Sequence, residues 1–244
     1  MLSQIKIVLV ETSHPGNIGA VARAMKTMSM TSLCLVNPKH FPSAEATSRA
    51  AGSDDILSKA KIYDTLSDAI ADCHVVFGTS ARIRTISWPE LTPRACAEKV
   101  IINEPGKTTA IVFGRENSGL SNEELDLCHY LLRIPCNSQY SSLNIAAAVQ
   151  VICYELNMAS QQLINPVSAA TEQNQDSWAS KDQMEQFYQH LHQTLLDIGF
   201  ILHPDKSATI MRRLRRVFNR AQLDNKEVDM LRGILRMSQG NKRN

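Results

Sequence analysis

Residues 137–156 read NSQYSSLNIAAAVQVICYEL, and their second half, Ile145 to Leu156, is apolar on almost every side. A helix of that composition has to be covered, by the core of its own chain or by a partner surface. Ahead of it stand Ser141, Ser142, Leu143 and Asn144, small polar groups around one leucine. The first turn of a buried helix presents unpaired N–H groups and a partial positive charge, which suits a polar or anionic ligand. Ser141 or Ser142 acting as an ordinary N-cap is the alternative.

The chain leading to this helix alternates short strands and helices. IKIVLV at 5–10 is a β-branched run, followed by a turn-rich loop from Glu11 to Gly19 and a helix from Ala20 to Met28. Further strands are expected at 32–38, 61–63, 74–80, 108–114 and 130–134, with helices at 44–60, 66–72 and 93–103. Ser121 with Glu124 three residues on is a capping-box signature. Such alternation predicts an α/β domain with a mainly parallel sheet, whose ligands bind off the carboxyl ends of the strands. Gly16, Gly19, Gly78, Thr79, Ser80, Gly114, Gly119, Ser141 and Ser142 collect at those ends, so one site drawing on several loops is expected.

Residues 1–160 form this domain, and a polar stretch at 161–181 has the composition of a linker. Residues 182–244 show helical spacing over 182–200, 209–218 and 228–237, a small helical domain. Arg212, Arg213, Arg215, Arg216 and Arg220 lie opposite the apolar positions of the middle helix. The formal charge of +2 hides an asymmetry: residues 1–204 balance to −5 and residues 205–244 to +7. A basic tail on a mildly acidic body points to a polyanionic partner. No apolar run reaches membrane-spanning length and no signal-peptide layout is present, so no membrane partner is expected. The six cysteines lack metal-ligand spacing and several sit in apolar runs, which predicts reduced thiols in a cytoplasmic protein without a metal. His190 and His192, two residues apart, do not share a helix face and make a poor metal pair.

Three motifs carry the chemistry: HPGNIGAVARAM at 14–25, VFGRENSGLSNEEL at 112–125 and YSSLNIAAAVQVICYE at 140–155. Together, in this order, they closely resemble the SPOUT class of RNA ribose 2′-O-methyltransferases, within it the TrmH-like group and most closely the TrmJ-type tRNA methyltransferases. The resemblance implies a sheet with a C-terminal deep trefoil knot that binds S-adenosylmethionine. It also implies a homodimer packed through the Ile145–Leu156 helix; a charge at Val149 or Ile152 is expected to yield monomers or insoluble protein, and the side that faces the partner is left open. By position it assigns cofactor binding to Thr79, Ser80, Ala81, Gly114, Glu116, Ile134, Ser141, Ser142 and Leu143. Asn17, Arg23, Ser142 and Asn144 fall at catalytic or substrate-positioning places. The implied reaction methylates the ribose of the pyrimidine, cytidine or uridine, at tRNA position 32 in the anticodon loop.

A guanidinium stays protonated in proteins, so Arg23 is read first as a clamp on the target nucleotide's phosphate and hydroxyl. For Arg23 and Lys26 a solvated helix face is the alternative, and for Glu116 a loop-stabilising carboxylate. Arg82 and Arg84 with Trp88 fit either RNA contact by charge and stacking or a solvated loop. Two other function classes are weighed against this reading. A Rossmann-like oxidoreductase requires G-x-G-x-x-G after the first strand, where HPGNIG stands instead. A non-catalytic RNA-binding protein predicts a degraded Arg23 or Ser142–Asn144 segment, and both are intact.

Overall fold

The structure, a computed structural model, describes residues 2–81, 88–103, 105–137, 139–164, 178–202 and 204–240. Arg82, Arg84 and most of the expected linker (165–177) lie outside the described residues. The chain divides into two compact units, Met1–Ala170 and Thr171–Asn244.

The first unit is built on a seven-stranded sheet in which every pairing is parallel. Its strands are β1 (Ile5–Val10), β2 (Ser32–Val36), β3 (Lys61–Tyr63), β4 (Val75–Thr79), β5 (Glu90–Leu91), β6 (Thr109–Phe113) and β7 (Tyr130–Leu132), in the spatial order β3-β2-β1-β6-β4-β7-β5. All six residues of β1 are buried, as a strand covered on both faces requires. Val8 and Val10 point into a core with Val76, Val112, Leu120, Leu125 and Leu131. Strand alternation sends Ile5, Ile7 and Leu9 to the opposite face. Two-residue β5, beside Pro89, is too short for periodicity to reveal and was not expected.

The helices of this unit are α1 (Pro15–Thr27), α2 (Ala44–Ala50), α3 (Asp54–Ser58), α4 (Leu66–Ile70), α5 (Pro93–Ala97, continued by a wider turn over Glu98–Asn103), α6 (Asn122–Asp126) and α7 (Ile145–Ile164). The expected 44–60 helix is two helices, because the backbone turns left-handed at Ala51 (φ 47°) and Gly52 (φ 86°). The capping box at Ser121 is formed in both directions. Trp88, read from sequence as a surface group, is buried at 9% exposure within the sheet core, which corrects that reading.

The expected Glu11–Gly19 loop is mostly helix. Proline at the first position of α1 has a preset φ and lacks only an N–H that would be unpaired there anyway. Gly16 and Gly19 therefore serve packing rather than a turn. A Cβ on Gly19 would lie 2.0 Å from the Ala46 carbonyl oxygen, so its absence is what lets α1 close on α2. Lys26 is also tied down: its Nζ donates to the Gly52 carbonyl at 2.9 Å and to Asp55 at 2.6 Å, joining α1 to the start of α3.

Helix α7 packs against α1 and α5. Val149, Ile152, Cys153 and Leu156 are wholly buried within the chain's own fold. Its opposite side, Ala147, Val151, Tyr154 and Met158, is exposed. A charge at Val149 or Ile152 would therefore disrupt this unit's own core rather than report on a partner surface.

The second unit comprises α8 (Lys181–Asp197), α9 (Pro204–Ala221) and α10 (Asn225–Gly240). Met184, Phe187, Tyr188, Leu191 and Val228 form its core, with Met211, Leu214, Phe218, Leu231 and Leu235 packed against them. Arg215 does not belong to a free basic face. Its guanidinium makes a two-pronged pair with Glu185 (2.6 and 2.7 Å) and lies 4.4 Å from the Tyr188 ring centroid. Arg213 and Arg220 are exposed.

Replacing Gly19 by alanine is expected to destabilise the protein by about 1–3 kcal/mol, the usual cost of overpacking. Urea denaturation monitored by circular dichroism measures it, and an unchanged midpoint would show that α1 and α2 can separate freely.

Candidate functional site

The strand order determines where the site lies. Strand β6 is inserted between β1 and β4, and β7 between β4 and β5. The carboxyl ends of β4, β6 and β7 thus stand side by side at strand spacing, although they are far apart in sequence. Around these ends and the first turn of α7 lies a cleft of about 570 Å³. Its wall includes Thr79, Ser80 and Ala81 after β4, Gly114 to Gly119 after β6, Ile134 after β7, and Ser141 to Asn144 ahead of α7. Asn17 and His14 enter from the start of α1.

The Gly114–Gly119 loop doubles back on itself. Arg115 and Gly119 exchange backbone hydrogen bonds (3.2 and 2.9 Å). A Cβ on Gly114 would meet the Gly119 carbonyl carbon at 2.1 Å, and Gly119 itself has a φ of 72°. Gly114 has no room for any side chain, and the left-handed backbone at Gly119 favours glycine.

Glu116 points from this loop to the start of α1. Its carboxylate accepts from the Ser13 N–H (3.2 Å), the Ser13 hydroxyl (3.0 Å), the His14 N–H (3.3 Å) and the Asn17 side-chain amide (3.0 Å). Burial opposes its charge, but the Asn17 amide and the backbone N–H groups outweigh that and hold the carboxyl below the ordinary glutamate range. The sequence left Glu116 between cofactor contact and loop stabiliser, and it does line the cleft while bracing the loop. Asn17 then accepts, through its side-chain oxygen, from Asn144 Nδ2 at 3.1 Å. Asn144 Oδ1 accepts from the Ala146 N–H at 2.9 Å. The N-cap of α7 is therefore Asn144 rather than Ser141 or Ser142, and both serines line the cleft instead.

Arg115 grips two further carboxylates. Its Nε and Nη2 donate to Glu11 (2.9 and 2.7 Å), and its Nη1 and Nη2 donate to Glu124 (3.0 and 3.1 Å). The Arg115 hydrogen bonds hold Glu11 below the usual carboxylate range. Nothing in the sequence pairs these three residues, because Glu11 is 104 positions from Arg115.

Every residue assigned a catalytic or cofactor role lines this cleft except Arg23, which is exposed on α1 beyond Asn17; Gly16, Gly19 and Gly78, expected at the same strand ends, do not line it. Six residues of helix separate Arg23 from Asn17 by about 9 Å along the axis. Phe113, Arg115, Cys136, Tyr140 and Ala148 also line it and were not anticipated. All of these but Cys136 lay inside the recognised motifs, which was the available signal. Among the described residues no group of histidines, cysteines and carboxylates is arranged to hold a metal. Five of the six cysteines are buried free thiols, and burial pushes Cys73 and Cys153 up to about 12.

Residues 4–154 match the SpoU rRNA methylase family, and residues 182–244 match the C-terminal domain of the tRNA methyltransferase TrmJ. The chain is 49% identical to the tRNA (cytidine/uridine-2′-O-)-methyltransferase TrmJ of Klebsiella pneumoniae, over 96% of each protein. It is 50% identical to the protein of the same name from Citrobacter koseri, again over 96% of each. Among solved structures, TrmJ from Z. mobilis superposes with a TM-score of 0.81 at 30% identity, covering 95% of this chain and 97% of that one. The SpoU methyltransferase AviRb from Streptomyces viridochromogenes, in complex with AdoMet, shares the fold at a TM-score of 0.51 and 23% identity, covering 66% of this chain and 61% of that one.

The Glu116 carboxyl titrates lower in the folded than in the unfolded chain, so its stabilisation is complete above the ordinary glutamate value and is lost as pH falls through the folded one. The stability gap between the parent and Glu116→Gln is therefore expected to be constant above about pH 5 and to shrink below about pH 4. Denaturation midpoints of both proteins from about pH 7 down to about pH 3 measure it, and a gap independent of pH would contradict the assignment.

Proposed function

The chain belongs to the SpoU methylase family and carries the TrmJ C-terminal domain, and we propose that it transfers a methyl group from S-adenosylmethionine to a ribose 2′-hydroxyl of tRNA. The observation that carries this reading is the convergence of three separate motifs on one cleft. A cleft of about 570 Å³ falls within the range of roughly 300–1,000 Å³ usual for cofactor sites. Gly114, with no room for a side chain, lets the backbone line it closely. Thr79, Ser80, Ala81, Gly114, Glu116, Ile134, Ser141, Ser142 and Leu143 are the residues that would hold the cofactor. When bound, S-adenosylmethionine supplies a methyl group activated by its sulfonium charge.

The protein's part is to fix the approach of a poor nucleophile. Ser142 and Asn144, ahead of α7, offer a hydroxyl and an amide at the cleft mouth. Asn17 holds Asn144 in place, and Glu116 holds Asn17. Arg23 clamps the nucleotide's phosphate from the exposed side of α1. Its permanent charge suits that task better than proton abstraction. Substrate capture falls to the tail, whose excess of positive charge neutralises tRNA phosphates. Arg213 and Arg220 are placed for this, whereas Arg215 braces the helices of its own unit. The division into a 1–160 catalytic domain, a 161–181 linker and a 182–244 tail domain is part of the same proposal. So are the ribose at position 32 as target and the cytoplasm as location.

The finer architecture belongs to this reading as well. A deep trefoil knot is supported by β6 and β7 each slotting between strands laid down earlier in the chain. A homodimer is supported by the exposed face of α7, where Val151, Tyr154 and Met158 are 37%, 47% and 37% exposed. These positions recur at helical spacing and form one apolar stripe that a second copy would cover.

Tritium transfer from S-adenosylmethionine to a tRNA panel, with the modified nucleotide mapped, is expected to label the ribose at position 32. Arg23→Ala should lower that transfer by at least about 100-fold, the scale of a lost positioning contact, and leave cofactor binding and melting temperature unchanged. Activity within a few-fold of the parent would remove Arg23 from the machinery. Tyr154→Asp combined with Met158→Asp is expected to give soluble monomers by light scattering, since both side chains are already exposed in the single chain. A dimer that survives both charges would place the interface elsewhere.

A further inference from the structure

We propose that Arg115 is a positioning residue for cofactor binding, which sets the Gly114–Gly119 loop by neutralising two carboxylates on separate elements. This rests on the cleft being the S-adenosylmethionine site. Arg115 follows Gly114 directly, and its guanidinium is turned onto protein: Nε, Nη1 and Nη2 all donate to Glu11 or Glu124 at 2.7–3.1 Å. One nitrogen, Nη2, reaches both carboxylates, so Glu11 and Glu124 are close neighbours held together by the cation between them.

The two carboxylates sit on different elements behind the loop, and Arg115, which lines the cleft, joins them. Glu11 closes β1 in a left-handed conformation (φ 47°) that L-residues rarely adopt, and its N–H donates to the Val36 carbonyl at 2.8 Å. Glu124 also accepts the Ser121 N–H at 2.7 Å and so anchors the first turn of α6. Glu116, the next residue, grips Ser13, His14 and Asn17. Two adjacent loop residues of opposite charge thus clasp the 11–17 segment, Arg115 through a carboxylate and Glu116 through N–H and O–H donors. Without Arg115 the two carboxylates would face each other with no cation between them, and like charges would push the start of α6, with the loop that leads into it, away from the end of β1.

The expected result follows from that repulsion. Calorimetric titration of the full-length protein with S-adenosylmethionine should show a Kd raised by about tenfold or more in Arg115→Ala, with kcat at saturating cofactor within a few-fold of the parent. A purely structural role would instead lower the melting temperature and the active fraction while leaving Kd alone. Adding Glu11→Gln to Arg115→Ala removes one of the opposed charges and is expected to recover part of the lost affinity. No recovery would mean that the guanidinium acts on the ligand itself, and would overturn the positioning role. Arg115→Lys keeps the charge without the planar fork and should show a smaller rise in Kd, which serves as the test if the alanine variant does not fold. Parental Kd values in both single variants would sink this proposal alone. A parent protein that binds no S-adenosylmethionine would overturn the cofactor reading along with it.

Discussion

A carboxylate seated at the start of a helix is the contact on which the site depends. Glu116 takes N–H and O–H donors from Ser13, His14 and Asn17, where the N-terminus of α1 carries its partial positive charge. Asn17 passes the constraint to Asn144, which caps α7. The leading ends of two helices are thereby locked to each other and to the loop after β6. Each link is an ordinary hydrogen bond worth about 1 kcal/mol net, or somewhat more where the carboxylate is charged. Their combined effect on geometry is larger, because each removes a way for the cleft wall to move.

The sheet supplies the frame for that contact. A parallel sheet aligns all its carboxyl ends on one edge, and the late insertion of β6 and β7 makes neighbours of loops that the chain visits at different times. The glycines work at short range within the frame. Gly19 allows α1 to close on α2, and Gly114 allows the loop to fold back on Gly119. Both are places where one methyl group of extra volume would move backbone rather than side chain.

In the second unit the same residue type does two jobs. Arg215 is half-buried against Tyr188 and paired with Glu185, and it joins α8 to α9. Arg213 and Arg220 are exposed and keep their charge toward solvent. An arginine-rich helix therefore divides into a bracing side and a solvent-facing side, and the division follows burial rather than composition.

Much of this was legible in the sequence. Periodicity and β-branched runs located every strand but β5, and small polar residues at strand ends marked the cleft, because both signals are local. The motifs contain most of the residues that line it. What the sequence could not settle depended on contacts between distant segments. It read the start of α1 as a loop, since glycine disfavours helix until Ala46 is known to lie against Gly19. It placed Trp88 at the surface, and it left open which side of the Ile145–Leu156 helix meets a partner. The side of α7 that meets its own core is chosen by α1 and α5, and composition alone treats all sides alike. The pairing of Arg115 with Glu11 likewise exists only because parallel order brings the ends of β1 and β6 together. Local pattern determined which elements form; the tertiary structure decided which of their polar groups meet, because those energies depend on distance in space and not on separation along the chain.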